Sequence, residues 1–199
     1  MEGIKDRVAI VGMGCTKFGE LWDKGPEDLM VEACYEAFED AGIEAKDIQA
    51  AWLASWVSGY SGARLANALK FEYIPISRVE NFCSGGTDAF RNACYAVAAG
   101  VYDVVLACGV EKLKDHKESF SLFIPAPFDS SKVEVDLMPV SQFALFANSY
   151  FRRYGLSPEQ GKRTLAQIAV KNHHNGTMNP KAHLQREVTI EQVLNAPII

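Results

Sequence analysis

Apolar residues along this chain fall either into short continuous runs or into repeats with helical spacing. Four short runs are typical of buried strands. They cover residues 7–12, 50–57, 76–82 and 101–110. Three stretches between these runs carry apolar residues on a helical repeat. They cover residues 26–41, 62–70 and 87–99. Because the predicted strands alternate with helices, we expect βαβ units and a mainly parallel sheet.

The helix predicted at residues 87–99 is apolar on nearly every side and is interrupted only by Asp88, Arg91 and Asn92. A helix of this kind is expected to be buried all round. The run at residues 101–110 is almost continuously apolar, as strands in the middle of a covered sheet are. We therefore predict that this helix and this strand lie at the centre of the fold.

The pattern changes after Glu111. Residues 112–139 are irregular and contain Pro125, Pro127 and Pro139. Helical spacing returns in three later segments. These are residues 140–154, a helix from Ser157 to about His174, and a short helix that begins at Thr189.

Capping signals define the ends of the second of these helices. Ser157 is the predicted N-cap, Pro158 takes the first helical position and Gln160 closes a capping box. Gly176 is expected to stop the helix in a left-handed conformation. The apolar residues 195–199 resemble the start of one more strand.

Composition narrows the class of protein mainly by exclusion. The chain has 199 residues, a net charge of −5, 48% hydrophobic residues and 23% charged residues, as soluble domains do. No basic patch dominates, which argues against binding to nucleic acid or to an anionic membrane. No apolar run approaches the roughly 20 residues of a membrane span, and the N-terminus lacks a signal-peptide pattern. We therefore expect a cytoplasmic protein.

The five cysteines show no CxxC spacing. They therefore predict neither a pair of zinc ligands nor a disulfide framework, and we expect reduced thiols. Cys34, Cys94 and Cys108 fall on predicted buried faces and are interpreted as packing residues. Trp52 and Trp56 share one face of the strand predicted at residues 50–57, and we interpret them as core or dimer surface.

Two other signals for a bound group are weak. His173, His174 and His183 have no acidic or cysteine ligand at a matching helical spacing, so we expect no metal. Gly12 opens a partial dinucleotide-binding fingerprint, but Lys17 replaces its third glycine, so we expect no nicotinamide site.

Cys83 is the strongest candidate for chemistry, because it follows a predicted strand and precedes a predicted helix. The N-terminus of a helix favours a thiolate, which is the reactive form of cysteine, and its N–H groups can bind an oxyanion. Gly85 and Gly86 lack side chains and would let a substrate approach the backbone closely. The geometry leaves open the alternative that Cys83 is a buried packing residue.

Residues 81–94, NFCSGGTDAFRNAC, resemble the nucleophile segment of the thiolase superfamily, and are most similar to its archaeal and sterol-carrier-protein-like branch. Three further segments resemble the same branch, so the similarity covers most of the chain. They are residues 8–43, 103–111 and 152–183. The resemblance implies an α/β fold: a thiolase-type βαβαβ half with a mainly parallel mixed sheet, a buried central helix and an inserted α-rich loop domain.

The resemblance also implies a division of the chain. Residues 1–111 would form the N-terminal thiolase half, and residues 112–186 the loop domain on the side of coenzyme A (CoA). Residues 187–199 would return toward the sheet and be cut short there. The family's catalytic histidine and second catalytic cysteine come from a second half and are not found in residues 1–199, so we expect that a C-terminal half is needed.

The activity implied by the resemblance is CoA-dependent acyl transfer. Cys83 would carry the acyl group as a thioester during thiolytic cleavage of a 3-oxoacyl-CoA, or during the reverse Claisen condensation. Gly85 and Gly86 would contact the substrate. CoA is then a co-substrate, bound by residues that the sequence does not identify, and no group is bound permanently. The family implies a homodimer or higher oligomer, with a separate partner subunit as a further option.

One departure from the family concerns the acyl pocket. Counted back from Tyr154, a methionine that the family places against the acyl group falls at Phe143, and the preceding histidine falls at Gln142. Phe143 is therefore a candidate wall of the acyl pocket. Two alternatives to acyl transfer stay open: a retro-aldol lyase acting on CoA side chains, and a non-catalytic scaffold subunit of a heteromeric complex.

Overall fold

The computed structural model describes residues 3–115 and 139–197. They divide into two compact units. The first holds the described residues up to Thr16 and those from Glu20 to Asp115. The second holds Lys17–Gly19 and the described residues from Pro139 onward. The assignment of residues 112–186 as a loop domain stays a prediction, since much of that range lies outside the described residues.

The first unit is a small parallel α/β sheet with helices between its strands. Its elements are α1 Pro26–Ala41, β1 Ala50–Ala54, α2 Gly62–Leu69, β2 Ile76–Val79, α3 Gly85–Ala98 and β3 Val105–Gly109. The strand order is β2-β1-β3, and both pairings are parallel. Ala51 of β1 lies opposite Ile76 on one side and Leu106 on the other. The α/β class and the parallel sheet predicted from the sequence are confirmed.

Helix α1 has the bounds that the sequence predicts. Its N-cap is Gly25, whose N–H donates to the Asp28 carboxylate at 2.8 Å. It ends at Gly42, which has the left-handed φ of 69° that favours glycine. The helix buries Met30, Cys34 and Phe38 against the sheet.

The prediction of a strand at residues 7–12 is wrong. No residue from 8 to 18 is assigned to a strand, and Ile10 and Val11 are each 63% exposed. Carboxylates of α1 hold the adjoining backbone: Met13 N–H donates to Asp40 at 2.9 Å. A side chain at Gly12 would lie 2.2 Å from the carbonyl oxygen of Ala37, so glycine is required for this approach. The apolar run is present, but no described strand pairs with it.

The other strands and helices predicted for the first unit are present, with bounds that differ at their ends. β1 stops at Ala54 and β2 at Val79, because the chain turns there into hydrogen-bonded loops. α3 is buried along the face that contains Ala89, Ala93 and Ala98, but its predicted all-round burial is not seen.

Two aromatic residues of α3 are partly exposed. Phe90 is 44% exposed and Tyr95 is 51% exposed. A cavity of about 630 Å³ lies between residues 7–14, α1, α3 and β3. Within the described part of the first unit, a single sheet therefore covers this apolar helix on one side only.

The second unit is helical in its described part. Its elements are α4 Pro139–Arg153, α5 Pro158–Thr177 and α6 Ile190–Leu194. The capping box of α5 is confirmed, since Ser157 N–H donates to the Gln160 side chain at 2.9 Å and Gln160 N–H to the Ser157 hydroxyl at 3.2 Å. Thr189 and Gln192 form the same arrangement at α6. None of the helices in the described ranges is long and apolar enough to cross a membrane.

The predicted left-handed stop at Gly176 is wrong. α5 continues through this residue to Thr177 and ends at Met178 in a right-handed conformation. The glycine is needed for a different reason, because a side chain there would lie 2.7 Å from the carbonyl oxygen of Leu184. Residues 195–197 are not a strand, and the last two residues of the strand predicted at 195–199 lie outside the described residues.

Candidate functional site

The candidate nucleophile lies in a tight turn between β2 and α3. Cys83 is the middle residue of the short 3₁₀ helix Phe82–Ser84, which leads directly into Gly85, the first residue of α3. Two hydrogen bonds to the carbonyl oxygen of Asn81 close the turn, from Ser84 N–H at 3.1 Å and from the Ser84 hydroxyl at 2.8 Å. The Cys83 thiol is exposed. The alternative of a buried packing cysteine is therefore excluded.

The two glycines after Cys83 have different surroundings. Gly85 is buried, and a side chain there would meet Ala54 of β1 at 3.5 Å. Gly86 is exposed, and a side chain there would meet nothing within 4 Å. Gly85 therefore lies where α3 is close to the sheet, while Gly86 leaves the helix start open to a bound molecule.

The carboxyl ends of the three strands lie at one edge of the sheet, as they do in parallel sheets that bind ligands. Glu111, two residues after β3, accepts hydrogen bonds from the backbone N–H groups of Trp56 at 2.7 Å and Ser58 at 2.8 Å. Arg78 of β2 donates to the carbonyl oxygens of Ser55 at 2.9 Å and Trp56 at 2.7 Å. The loop after β1 is thus held from both neighbouring strands.

Sequence reasoning missed Arg78 and Glu111. The available signal was a charged residue inside the predicted strand 76–82 and another directly after the strand 101–110. Charged side chains at such positions need partners, because burying them unpaired is costly.

A buried ion pair fixes the segment that precedes α1. The Lys112 side chain is 4% exposed, and its ammonium group donates to the carbonyl oxygens of Leu21 at 2.6 Å and Lys24 at 2.7 Å and to Asp115 at 2.7 Å. Burial raises the pKa of Asp115, but the hydrogen bonds from Lys112 and from Leu21 N–H lower it by a larger amount. The pKa of Asp115 therefore lies below its ordinary value. All these groups are satisfied, and we interpret them as structural.

The remaining cysteines contrast with Cys83. Cys34, Cys94 and Cys108 are buried as predicted, Cys15 is exposed, and none of the five is in a disulfide. A hydrogen bond with Cys108, together with burial, raises the pKa of the Cys34 thiol. Cys34 is therefore held as a protonated thiol at the interface between α1 and β3.

Phe143 belongs to α4 in the second unit. Its side chain is 67% exposed, and its ring lies 6.2 Å from that of Phe146. Its role as a wall of the acyl pocket stays a prediction.

The three histidines that could be considered as metal ligands all lie in the second unit. His173 is hydrogen-bonded to the carbonyl oxygen of Arg186 at 3.1 Å, and His174 to Glu187 at 2.7 Å. His183 lies near Gly19. Among the residues that the structure describes, no group of three or more His, Cys, Asp or Glu side chains has the geometry of a metal site.

Comparison with known proteins identifies the family. The model of the thiolase N-terminal domain matches residues 8–195. The acetyl-CoA acetyltransferase of Methanothermobacter thermautotrophicus is 34% identical over 198 residues, which cover 96% of this chain and 51% of the relative.

Two solved structures share the fold. The Ltp2-ChsH2(DUF35) aldolase has a TM-score of 0.72 at 24% identity, covering 96% of this chain and 49% of that one. A monomeric SCP2-thiolase-like protein type 1 from Mycobacterium smegmatis has a TM-score of 0.67 at 19% identity, covering 94% of this chain and 39% of that one.

The chain spans about half the length of the curated relative it matches. The family match covers the parallel sheet, the turn that carries Cys83 and the helices of the second unit. The chain belongs to the thiolase family, in which it corresponds to the N-terminal domain.

Proposed function

We propose that this chain is the N-terminal part of a CoA-dependent acyltransferase that cleaves a 3-oxoacyl-CoA by thiolysis, or runs the reverse Claisen condensation. The observation that carries the proposal is the exposed Cys83 thiol in the turn before α3. Acyl transfer is the activity of the family at its most general level, as the name of the archaeal relative indicates. CoA acts as co-substrate, and no permanently bound group is required.

The reaction uses the thiolate twice. Cys83 attacks the 3-oxo carbonyl carbon, and the oxyanion collapses as the bond between C2 and C3 breaks. The leaving acetyl-CoA enolate takes a proton at C2, while the shortened acyl group stays on the Cys83 sulfur. The thiol of a second CoA then gives up its proton and attacks this thioester, which releases the new acyl-CoA and restores the Cys83 thiolate.

The proton transfers need groups that we assign to a C-terminal half. Three features of the first unit support a need for further polypeptide: the exposed rings of Phe90 and Tyr95 on α3, the exposed Ile10 and Val11, and the cavity beside β3. Apolar surface of this kind commonly marks an interaction site. The half that supplies the histidine and second cysteine belongs to the same polypeptide or to a partner subunit.

The assembly is expected to be a homodimer or a higher oligomer in the cytoplasm. We expect basic residues of the second unit, such as Arg152 and Arg153, to lie near the CoA phosphates, because guanidinium groups pair well with phosphate. The residues that bind CoA are otherwise not assigned.

A retro-aldol lyase is the second candidate, favoured by the fold shared with the Ltp2-ChsH2(DUF35) aldolase. Retro-aldol cleavage requires no covalent acyl group on a cysteine, and neither does a non-catalytic scaffold role. The presence of an exposed thiol at the start of α3 therefore favours acyl transfer over both.

The test is to incubate the full polypeptide with a 3-oxoacyl-CoA, without free CoA, and to locate the added acyl mass by mass spectrometry. We expect it on the peptide that contains Cys83. Cys15 is the matched control, since it is the other exposed cysteine. A parallel incubation uses a 3-hydroxyacyl-CoA, the substrate type that a retro-aldol lyase splits into an aldehyde or ketone and a shorter acyl-CoA. Cleavage of this substrate with no acyl mass on Cys83 would favour the lyase. No turnover of either substrate together with no acylation would favour the scaffold.

A further inference from the structure

Phe82, the residue before the candidate nucleophile, has a backbone conformation that phenylalanine rarely adopts. Its φ is 47°, in the left-handed region. A side chain with a Cβ disfavours this region by about an order of magnitude in population. Its ring is 76% exposed, so burial in the core does not hold it there.

Two contacts oppose the relaxation of this turn. The Phe82 N–H donates to the Glu80 carboxylate at 2.5 Å. The Phe82 ring lies against the indole of Trp56, with 6.0 Å between ring centroids and an angle of 51° between the planes. A tilted aromatic pair at this distance is attractive.

The backbone of Trp56 is held by residues in, or just after, the two strands that neighbour β1. Arg78 donates to its carbonyl oxygen at 2.7 Å, and Glu111 accepts from its N–H at 2.7 Å. The indole therefore extends from a backbone that cannot shift without breaking two charge-assisted hydrogen bonds. Trp56 follows β1 rather than lying within it, so its predicted position on the face shared with Trp52 does not apply.

We propose that Trp56 is a positioning residue for Cys83: its indole keeps Phe82 left-handed, and this directs the Cys83 thiol to the start of α3. The proposal rests on the proposed role of Cys83 as nucleophile. Without the indole, the turn relaxes toward right-handed or extended backbone, and the thiol moves away from the start of α3 and the N–H groups of its first turn.

The test is a double-mutant cycle in the full polypeptide, with the rate of Cys83 alkylation by iodoacetamide as the readout. We expect Trp56→Ala to slow alkylation about tenfold, as the left-handed population falls. In a Phe82→Gly background the same change should slow it less than twofold, because glycine adopts this φ without support. Trp56→Phe should restore most of the rate, since it keeps an aromatic ring.

Trp52→Ala is the matched control, because its ring contacts Tyr102 instead, at 6.5 Å. It should leave the alkylation rate unchanged. With a 3-oxoacyl-CoA, Trp56→Ala should lower kcat and leave KM unchanged. Since an unfolded, inactive fraction would also lower the apparent kcat, kcat is expressed per folded molecule, with the folded fraction measured by circular dichroism. If Trp56→Ala fails to fold, Trp56→Leu serves in the same cycle.

An equal effect of Trp56→Ala in both Phe82 backgrounds, or no effect in either, overturns the proposal. The alkylation readout needs no acyl-CoA, so it separates this proposal from the proposed function. If Cys83→Ala retains transferase activity while the cycle behaves as expected, the catalytic role fails and the positioning role stands.

Discussion

Two thiol environments in the first unit show how position decides the chemistry of a cysteine. Cys83 lies in a hydrogen-bonded turn at the carboxyl edge of the sheet and is exposed. Cys34 lies between α1 and β3, is 2% exposed and shares a hydrogen bond with Cys108 that raises its pKa. The first environment leaves the thiol open to substrate, while the second stabilises the protonated form.

The polar groups of the two regions differ in the same way. At the carboxyl edge, the side chains of Arg78 and Glu111 form hydrogen bonds with the backbone of the loop after β1, and these bonds fix the loop outside the sheet. At the interface between α1 and the sheet, Leu53 and Met30 are almost completely buried, and apolar packing stabilises the structure there. A substitution at the edge should therefore affect reactivity first, and one at the interface stability first.

The largest expected effect is the loss of the proposed nucleophile. Cys83→Ala should lower kcat for acyl transfer by about a thousandfold or more, because the covalent route is lost, and leave the midpoint of thermal unfolding unchanged. Cys34→Ala is the comparison variant and should keep activity while costing about 1–2 kcal/mol of stability. Steady-state kinetics and thermal unfolding of both variants measure the two effects.

The reverse pattern would break the comparison. Transferase activity above about a tenth of the wild-type value in Cys83→Ala removes Cys83 from the mechanism. A loss of activity in Cys34→Ala without loss of stability would place the buried pair in the site.

The next effect in size concerns the buried ion pair. Lys112→Met should cost up to about 3 kcal/mol of unfolding free energy, because it leaves the partly buried Asp115 carboxylate and the carbonyl oxygens of Leu21 and Lys24 without their donor. Lys114→Met, which removes an exposed pair with Glu20, should cost no more than about 1 kcal/mol. Urea denaturation of the three proteins measures the difference.

The pH dependence gives this prediction a sign. The lowered pKa of Asp115 contributes stability that is present above the ordinary pKa of an aspartate and is lost as the pH falls through the folded value. In Lys112→Met the hydrogen bond and the charge of Lys112 are lost, so the pKa of Asp115 rises, although the hydrogen bond from Leu21 N–H still lowers it. The difference in unfolding free energy between the wild type and Lys112→Met should therefore become smaller below about pH 4. A deficit that is constant with pH would show that lost packing, not lost charge, explains it.

Local signals predicted much of the fold. Pro26 and Gly42 bound α1, and the capping box of Ser157 and Gln160 starts α5, because each signal acts within one turn of helix. Gly176 was misread because its requirement comes from the carbonyl of Leu184, which is close in space but not in sequence. Residues 7–12 have the composition of a strand, but pairing decides whether a strand forms.

In the candidate site too, the sequence predicts local features but not contacts between distant residues. Cys83 could be found because its motif is continuous in the chain. The contact between Trp56 and Phe82 could not, because it joins the ends of two strands through a left-handed residue that no sequence signal marks. The charges of Arg78 and Glu111 were visible, but their backbone partners were not.

The smallest expected effect tests the one site prediction that lies in the second unit. Phe143→Ala should shift substrate preference toward bulkier acyl groups, since each added methylene in a fitted pocket is worth about 1–3 kcal/mol. The ratio of kcat/KM for a longer to a shorter 3-oxoacyl-CoA measures this shift. Phe146→Ala is the matched control, because Phe146 lies on the same helix and is similarly exposed. An unchanged chain-length profile in Phe143→Ala, or an equal shift in Phe146→Ala, would remove Phe143 from the acyl pocket and leave specificity to other residues.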